Sequence, residues 1–196
     1  MITPDKSNGY EEIAAAYIAG RGQSVEGVGA SVVADWSGVL PTRASVLDLG
    51  CGNGVPITRV FIDHGFEVYA VDASPSMVAA FRAGFPGVPV HCAAVEDFDF
   101  FGRTFDAVVA WGVFFLLDED TQRRLIAKIA AALQLGGRLL FTATRQSATW
   151  LDAKTGRPSL SLGEETYRDV LQAEGFSFVR TMTDGGDNFY YDAQKR

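Results

Sequence analysis

Cysteine and histidine are scarce in this chain, which has two of each among 196 residues. Cys51 and Cys92 are too few for a disulfide framework, and we expect the reducing cytoplasm as the location. His64 and His91 have no Cys, His or Asp neighbours at the spacing of a metal site. The sequence therefore predicts no bound metal.

Positive charge and long apolar runs are also limited. The formal net charge is −7, and Lys and Arg form no cluster. Binding to nucleic acid is therefore disfavoured. The longest apolar run, residues 107–117, contains a glycine and is too short to span a bilayer. Residues 1–8 lack the apolar stretch of a signal peptide, so no membrane partner is expected.

A glycine-rich turn directly follows an apolar run near the middle of the chain. Residues 46–54 read VLDLGCGNG, which predicts a buried strand entering a tight turn. Eighteen residues beyond Gly54, a second apolar run ends in Asp72. A strand, a glycine loop, a helix and a strand ending in an acid predict a nucleoside-binding βαβ unit. The glycines allow close backbone approach to a ligand, and the acid can accept hydrogen bonds from two ribose hydroxyls.

The glycine pattern distinguishes between nucleoside classes. The third position of the dinucleotide fingerprint holds Val55 instead of glycine. Residues 47–54, LDLGCGNG, resemble motif I of the class I S-adenosylmethionine (SAM)-dependent methyltransferases. Three further segments resemble later motifs of that family in the expected order: 67–77 (EVYAVDASPSM), 105–109 (FDAVV) and 133–140 (LQLGGRLL). In the last of these, Gln and Leu replace the usual Lys and Pro.

Predicted strands and helices alternate along most of the chain. Strands are predicted at 45–49, 67–72, 89–93, 105–111, 138–144, 176–183 and 188–193. Helices are predicted at 10–20, 25–36, 56–64, 74–85, 118–133 and 164–173. Ser74 and Asp118 are the predicted N-caps of their helices. Residues 145–163 carry few periodic signals and are predicted to form a loop.

This order predicts an α/β fold. The resemblance implies a single, doubly wound, mostly parallel seven-stranded sheet of the Rossmann-like methyltransferase type. Helices should cover both faces, and a C-terminal antiparallel hairpin should complete the sheet. Within one domain, residues 1–40 would form an N-terminal helical lid and 41–144 the cofactor-binding core. Residues 145–196 would supply a substrate loop, a helix and the terminal hairpin.

The resemblance implies SAM as cofactor and S-adenosylhomocysteine (SAH) as product. Gly50 and Gly52 would cradle SAM, while Asp72 would bind its ribose; simple turn glycines are the alternative. Asp48 would order the loop and touch the ligand amine through water. Ala73 and Met77 would pack on adenine, although ordinary helix packing is nearly as good an explanation for Met77.

The remaining cofactor contacts come from three other segments. Ala94 replaces an acid that is usual in the family, which leaves the backbone N–H groups near Val95 and Glu96 to meet adenine. The backbone at Trp111 would bind the methionine end. Tyr17 and Arg21 lie four residues apart and would close over SAM, with the guanidinium clamping its carboxylate. A solvated helix arginine is the alternative for Arg21.

The expected methyl acceptor is a small molecule of modest size and partly apolar character. Five aromatic residues are candidates for contacting it: Tyr10, Trp111, Phe114, Trp150 and Tyr190. No general base is evident, so no catalytic residue is assigned. Two other functions remain open, a non-catalytic SAM-binding regulatory module and an NAD-dependent oxidoreductase. Val55 argues against the latter. Either a monomer or a homodimer is compatible with the sequence.

Overall fold

A seven-stranded sheet forms the centre of the molecule. The computed structural model describes residues 5–21 and 27–196, and for Arg21 it describes the backbone only. The strands are β1 (Ser45–Leu49), β2 (Glu67–Asp72), β3 (Val90–Cys92), β4 (Phe105–Ala110), β5 (Leu133–Thr142), β6 (Ala148–Leu151), β7 (Pro158–Ser161), β8 (Phe176–Thr183) and β9 (Phe189–Lys195). The helices are α1 (Ala14–Arg21), α2 (Ala30–Ser37), α3 (Ile57–Asp63), α4 (Pro75–Gly84), α5 (Glu119–Ala132) and α6 (Glu164–Ala173).

The strand order is β3-β2-β1-β4-β5-β9-β8. The first five strands are parallel, whereas β9 is antiparallel to both β5 and β8. The expected mostly parallel sheet and C-terminal hairpin are confirmed. Chain order reverses between β1 and β4, where the two halves of a doubly wound sheet meet and ligands bind.

Two hydrophobic layers sandwich the sheet. Strand β1 is buried along its whole length because neighbouring strands and helices cover both of its faces. Leu47 and Leu49 belong to the layer that contains residues of α5 and α6. Val46 belongs to the opposite layer, where Trp36 of α2 and Phe61 of α3 are fully buried. A strand buried on both sides reads as an apolar run, which is why the sequence predicted β1 correctly.

Capping side chains set the starts of two helices, α4 and α5, at the carboxyl ends of the parallel strands. Ser74 accepts a hydrogen bond from the N–H of Met77 at 3.1 Å and caps α4. Asp118 accepts from the N–H of Thr121 at 2.8 Å and caps α5. Both predicted caps are confirmed. Within residues 5–21 and 27–196, no helix combines the length and apolar character needed to cross a bilayer.

The prediction that residues 145–163 form a loop is wrong. Strands β6 and β7 form a separate antiparallel hairpin there, with Leu151 paired to Pro158. Three of the four β6 residues are exposed, so this strand lacks the alternation of a half-buried strand. Its turn is fixed instead by Asp152, whose carboxylate accepts the N–H groups of Lys154 and Thr155, each at 2.9 Å.

The first helix also begins later than predicted. Residues 10–13 form hydrogen-bonded turns, and α1 starts at Ala14. The second predicted helix begins at Ala30, after Gly29 with φ of 94°. Its predicted first two residues, 25 and 26, lie outside the described residues.

A buried ion pair joins the terminal hairpin to the parallel strands. Asp192 of β9 is fully buried and contacts Arg138 of β5 at 2.5 Å and Arg180 of β8 at 3.3 Å. Each arginine comes from a strand beside β9, so the carboxylate links three strands. Removing one partner of such a buried group leaves uncompensated charge.

We expect Asp192→Ala to lower the free energy of unfolding by about 3–5 kcal/mol, because two arginines lose their carboxylate partner. The matched control is Arg123→Ala, which removes an exposed pair with Glu119 on α5. That change should cost about 0.5 kcal/mol or less. Urea unfolding of both variants measures the difference, and equal losses would contradict the assigned role of Asp192.

Candidate functional site

A cavity of about 250 Å³ lies at the carboxyl ends of the central parallel strands. The glycine loop after β1, Asp72 at the end of β2 and Trp111 after β4 meet around it. Ten of the cofactor and acceptor residues proposed from the sequence line this one cavity: Tyr10, Tyr17, Asp48, Gly50, Gly52, Asp72, Ala73, Met77, Val95 and Glu96. Trp111, which the sequence assigned to both roles, lines it as well.

Glycine is needed at the three loop positions for different structural reasons. All have positive φ angles, 70° at Gly50, 54° at Gly52 and 84° at Gly54. A Cβ at Gly50 would lie 2.0 Å from Val113, and one at Gly54 would lie 2.3 Å from Phe85. A Cβ at Gly52 would have no atom within 4 Å. Gly52 is therefore the glycine whose bare backbone faces open space in the cavity.

Asp72 connects the glycine loop to the start of α4. Its Oδ2 accepts the N–H of Gly52 at 2.8 Å, and its Oδ1 accepts the N–H of Ser74 at 2.8 Å. Burial raises the pKa of the Asp72 carboxyl, while these two hydrogen bonds oppose the rise. Each carboxylate oxygen accepts two hydrogen bonds, so one position on each oxygen remains for a ligand hydroxyl.

Asp48 lies inside β1, directly below the glycine loop. It is 1% exposed and accepts a hydrogen bond from Thr58 Oγ1 of α3 at 2.5 Å. Burial raises the pKa of Asp48 to about 7, and the nearby Asp72 carboxylate adds to the rise. The Thr58 bond explains how an acid is accommodated within an apolar strand.

A loop after β3 forms another wall of the cavity. Val95 and Glu96 line the cavity beside Ala73 and Met77 of the β2–α4 junction. The ammonium of Lys128 donates to the carbonyl oxygens of Val95 and Glu96, at 3.2 and 2.9 Å, and fixes this loop. The backbone that the sequence assigned to adenine is thus held rigidly beside the β2 end.

Residues 5–13 cross the cavity mouth and are called the N-terminal strap below. Four of them line the cavity: Lys6, Ser7, Asn8 and Tyr10. Tyr10 packs edge-on against Tyr17 of α1, with ring centroids 5.5 Å apart. The side chain of Arg21, the proposed carboxylate clamp, lies outside the described structure, so its role stays a prediction.

Three ion-pair or hydrogen-bond anchors hold the strap. The Glu11 carboxylate accepts from Ser74 Oγ at 2.5 Å and from Ser76 Oγ at 2.7 Å, at the start of α4. These bonds lower the pKa of Glu11. The Lys6 ammonium lies 2.9 Å from Glu96. Glu12 pairs with Arg157 of the β6–β7 hairpin at 2.7 Å.

The side of the cavity opposite the β2 end is called the acceptor end below. Trp111 lines it, and its Nε1 donates to Tyr190 Oη at 2.9 Å. Tyr190 in turn donates to Asp184 Oδ2 at 2.5 Å. Asn188 also lines this end and donates through Nδ2 to both Asp184 oxygens. One carboxylate in the terminal hairpin therefore orients two cavity-lining residues.

Three of the predicted acceptor residues lie elsewhere. Phe114 is fully buried and stacks on Phe141 in the core, so direct contact with an acceptor is contradicted by its position. Tyr190 is also fully buried and reaches the cavity only through Trp111. Trp150 borders an adjoining groove, where it lies 5.7 Å from Phe115. The sequence did not show that Phe114 and Tyr190 are buried in the hydrophobic layers on the two faces of the sheet.

Phe115, Lys154 and Asn188 are among the cavity residues that the sequence did not assign to the site. Lys154 lies within the stretch read as a loop, and Asn188 lies beside the predicted turn of the terminal hairpin. Neither Lys154 nor Asn188 belongs to a local sequence motif. Long-range packing brings both residues to the cavity. No histidine occurs among the described residues that line it.

The raised pKa of Asp48 predicts a pH-dependent stability. The folded protein holds this proton more tightly than the unfolded chain, whose carboxyl has the ordinary value of 3.8. The free energy of unfolding therefore falls as pH rises from about 4 to about 7. Asp48→Asn stays neutral and keeps an oxygen for Thr58, so this slope should disappear.

We expect the variant to gain about 2–3 kcal/mol over the wild type between about pH 5 and about pH 8. Urea unfolding of the ligand-free proteins measures the gap. Parallel stability curves would show that Asp48 titrates normally. Thr58→Val is a second check, because loss of the donor should raise the pKa of Asp48 further and extend the fall in stability to higher pH.

Comparison with known proteins identifies the glycine loop and the strands around it. The methyltransferase domain family matches residues 46–137. An uncharacterized methyltransferase of Mycobacterium tuberculosis is 35% identical over 106 residues. That match covers 54% of this chain and 41% of the relative, so the chain spans about two fifths of the relative's length.

Solved structures share the whole architecture at low identity. A SAM-bound amino pentose methyltransferase of Micromonospora echinaspora has a TM-score of 0.72 at 23% identity, covering 93% of this chain and 95% of its own. A didemethyltoxoflavin N1-methyltransferase of Burkholderia thailandensis, solved with its substrate and SAH, has a TM-score of 0.75 at 20% identity. It covers 97% of this chain and 86% of its own.

The family match spans β1 to the start of β5, which are the strands that surround the cavity. The glycine loop and Asp72 at the end of β2 both lie within the matched residues. Residues 46–137 therefore match the methyltransferase domain family, and the chain shares its fold with methyltransferases solved with bound SAM or SAH.

Proposed function

We propose that this protein transfers a methyl group from SAM to a small-molecule acceptor and releases SAH. The observation that carries the proposal is the open space above Gly52, directly beside the Asp72 carboxylate. A ligand placed there meets bare backbone on one side and a ribose-binding acid on the other. Because the chain spans only part of its curated relatives, the activity of the whole protein is part of this proposal.

The described residues offer the contacts that SAM would need. Asp72 retains a free acceptor position on each oxygen for the two ribose hydroxyls. Ala73 and Met77 supply an apolar surface for adenine, and the fixed backbone at Val95 and Glu96 supplies N–H groups at its edge. Asp48 lies under the loop as a buried acid near the cationic end of such a ligand.

The chain contributes mainly alignment and water exclusion to the reaction. Bound SAM supplies a methyl group already activated by its sulfonium. The strap and Tyr17 enclose the cavity, while Trp111 closes its acceptor end. Holding the acceptor in line for transfer lowers the barrier by up to ~7–11 kcal/mol. No histidine occurs among the described cavity residues and Asp48 lies on the proposed cofactor side, so the proposed acceptor needs little help in losing a proton.

The acceptor pocket is proposed at the junction of the cavity and the adjoining groove. Tyr10, Trp111 and Trp150 keep their proposed contacts with the acceptor. Phe114 supports this wall from the core, and Tyr190 holds the Trp111 ring through its hydroxyl. The space suits a modest-sized molecule better than a polymer. The net charge of −7 also argues against nucleic acid as substrate.

The proposed setting is the cytoplasm, with a monomer or homodimer as the assembly. Cys51 and Cys92 are both free thiols, which agrees with a reducing compartment. The proposed division of the chain keeps residues 1–40 as lid and 41–144 as cofactor core. Residues 145–196 supply the acceptor side through the β6–β7 hairpin and β9.

We expect Asp72→Ala to weaken SAH binding by about tenfold or more, since charge-assisted hydrogen bonds to the ribose disappear. Asp97→Ala is the matched control, because it removes an exposed acid outside the cavity. Calorimetry with purified protein measures both. Unchanged SAH affinity in Asp72→Ala would exclude this acid from the cofactor site.

Gly52→Val should abolish SAH binding, because its side chain would enter the open space and its φ of 54° disfavours a branched residue. Thermal melting controls for folding. Turnover of SAM to SAH, followed with a panel of small metabolites, separates an enzyme from a regulatory SAM-binding module. A chain that binds SAH but produces none with any acceptor would favour the module.

The strap should respond to the cofactor, because its anchors meet the cofactor-binding loop and α4. We expect SAH to slow amide hydrogen exchange in residues 5–21 more than in the central strands, measured by mass spectrometry. Glu11→Gln weakens the anchor at Ser74 and Ser76 and should reduce this protection. Identical exchange with and without SAH would refute the lid.

A further inference from the structure

The acceptor end of the cavity contains a lysine without a carboxylate partner among the described residues. Lys154 lines the cavity and forms no ion pair within residues 5–21 and 27–196. Lys6, the other lysine of the cavity wall, differs, because it lies 2.9 Å from Glu96 and 3.3 Å from Asp97. The positive charge of Lys154 is therefore available to a ligand.

A buried carboxylate fixes the backbone that carries Lys154. Asp152 is 8% exposed, and its Oδ1 accepts the N–H groups of Lys154 and Thr155, each at 2.9 Å. The N–H of Gly156 donates to the Asp152 carbonyl oxygen at 2.8 Å and completes the turn. Asp152 also accepts from Tyr10 of the strap at 3.4 Å. The lysine thus stands on a turn that is fixed beside the cavity mouth.

Several described residues that line the cavity together with Lys154 are aromatic or neutral. Trp111 and Phe115 supply flat apolar surface, and Asn8 and Asn188 supply amides. The Asn188 amide nitrogen is committed to Asp184, at 2.9 and 3.1 Å from its oxygens. Among the described residues of this wall, the Lys154 ammonium is therefore the charged group proposed to meet an acceptor.

Among the described residues, the carboxylates that line the cavity are Asp48, Asp72 and Glu96, all on the proposed cofactor side. Asp48 and Asp72 lie at the ends of β1 and β2, and Glu96 is paired with Lys6. The cavity therefore has acids where a cationic cofactor is proposed and an ammonium where the acceptor is proposed. Opposite charges at the two ends favour partners of opposite sign.

We propose that the methyl acceptor is a flat, largely apolar anion, whose acidic group is bound by the Lys154 ammonium. This inference rests on the proposed function and specifies its substrate class. The aromatic side chains hold the ring, and the ammonium fixes the end that carries the negative charge. An acceptor that is already an anion also needs no general base at its acidic group, which agrees with the described cavity lining.

Matched probes of equal shape test this charge preference. 2-Naphthoate and 2-naphthamide share a flat ring and differ in charge, so their affinities for SAH-saturated protein can be compared by calorimetry. We expect naphthoate to bind the wild type about tenfold or more tightly. Lys154→Met should abolish the preference while SAH affinity stays unchanged, and Lys154→Arg should retain it. Arg123→Met is the control for net charge, because it removes a cation on the exposed face of α5.

The outcomes separate this inference from the proposed function. Equal binding of the two probes to the wild type, no binding of either, or a preference that survives in Lys154→Met would overturn the anion site. SAH binding is measured first, and its absence would contradict the proposed function. In that case the two probes are compared on the SAH-free protein. A naphthoate preference that is lost in Lys154→Met would still support the anion site, and the absence of a preference would overturn it.

Discussion

The Asp72 carboxylate is the interaction on which the ligand edge depends. It accepts N–H groups from the glycine loop at Gly52 and from the α4 cap at Ser74. The Ser74 hydroxyl then donates to Glu11 of the strap. One acid at the end of β2 therefore ties together the loop below the cavity, the helix beside it and the segment over it. Its remaining acceptor positions point to a hydroxyl-bearing ligand.

Charge divides the cavity into two functional halves. Burial raises the pKa values of Asp48 and Asp72, and no described cationic group offsets the rise. A positively charged ligand would supply that partner, as SAM does. At the proposed acceptor end, the described lining combines Lys154 with aromatic and amide groups. The terminal hairpin contributes through Asp184, which orients both the Trp111 ring and Asn188.

The parts of the fold that the sequence predicted have local causes. A buried parallel strand is apolar throughout, so β1 and the end of β2 were found to the residue. Helices α4 and α5 each begin directly after a capping residue, Ser74 or Asp118, which can be recognised in the sequence. The β6–β7 hairpin was missed because its outer strand is mostly exposed and carries no apolar alternation. Its turn depends on Asp152, whose backbone contacts become evident only in three dimensions.

The sequence by itself determined the family, the cofactor loop and the residues at the ends of β1 and β2, since these lie within one short βαβ unit. Tertiary structure decided the acceptor side. It placed Phe114 in the core and Tyr190 behind Trp111, and it brought Lys154 to the cavity mouth. Residues far apart in the chain build that wall. Their meeting depends on the packing of two hairpins and a strap, for which no local pattern exists.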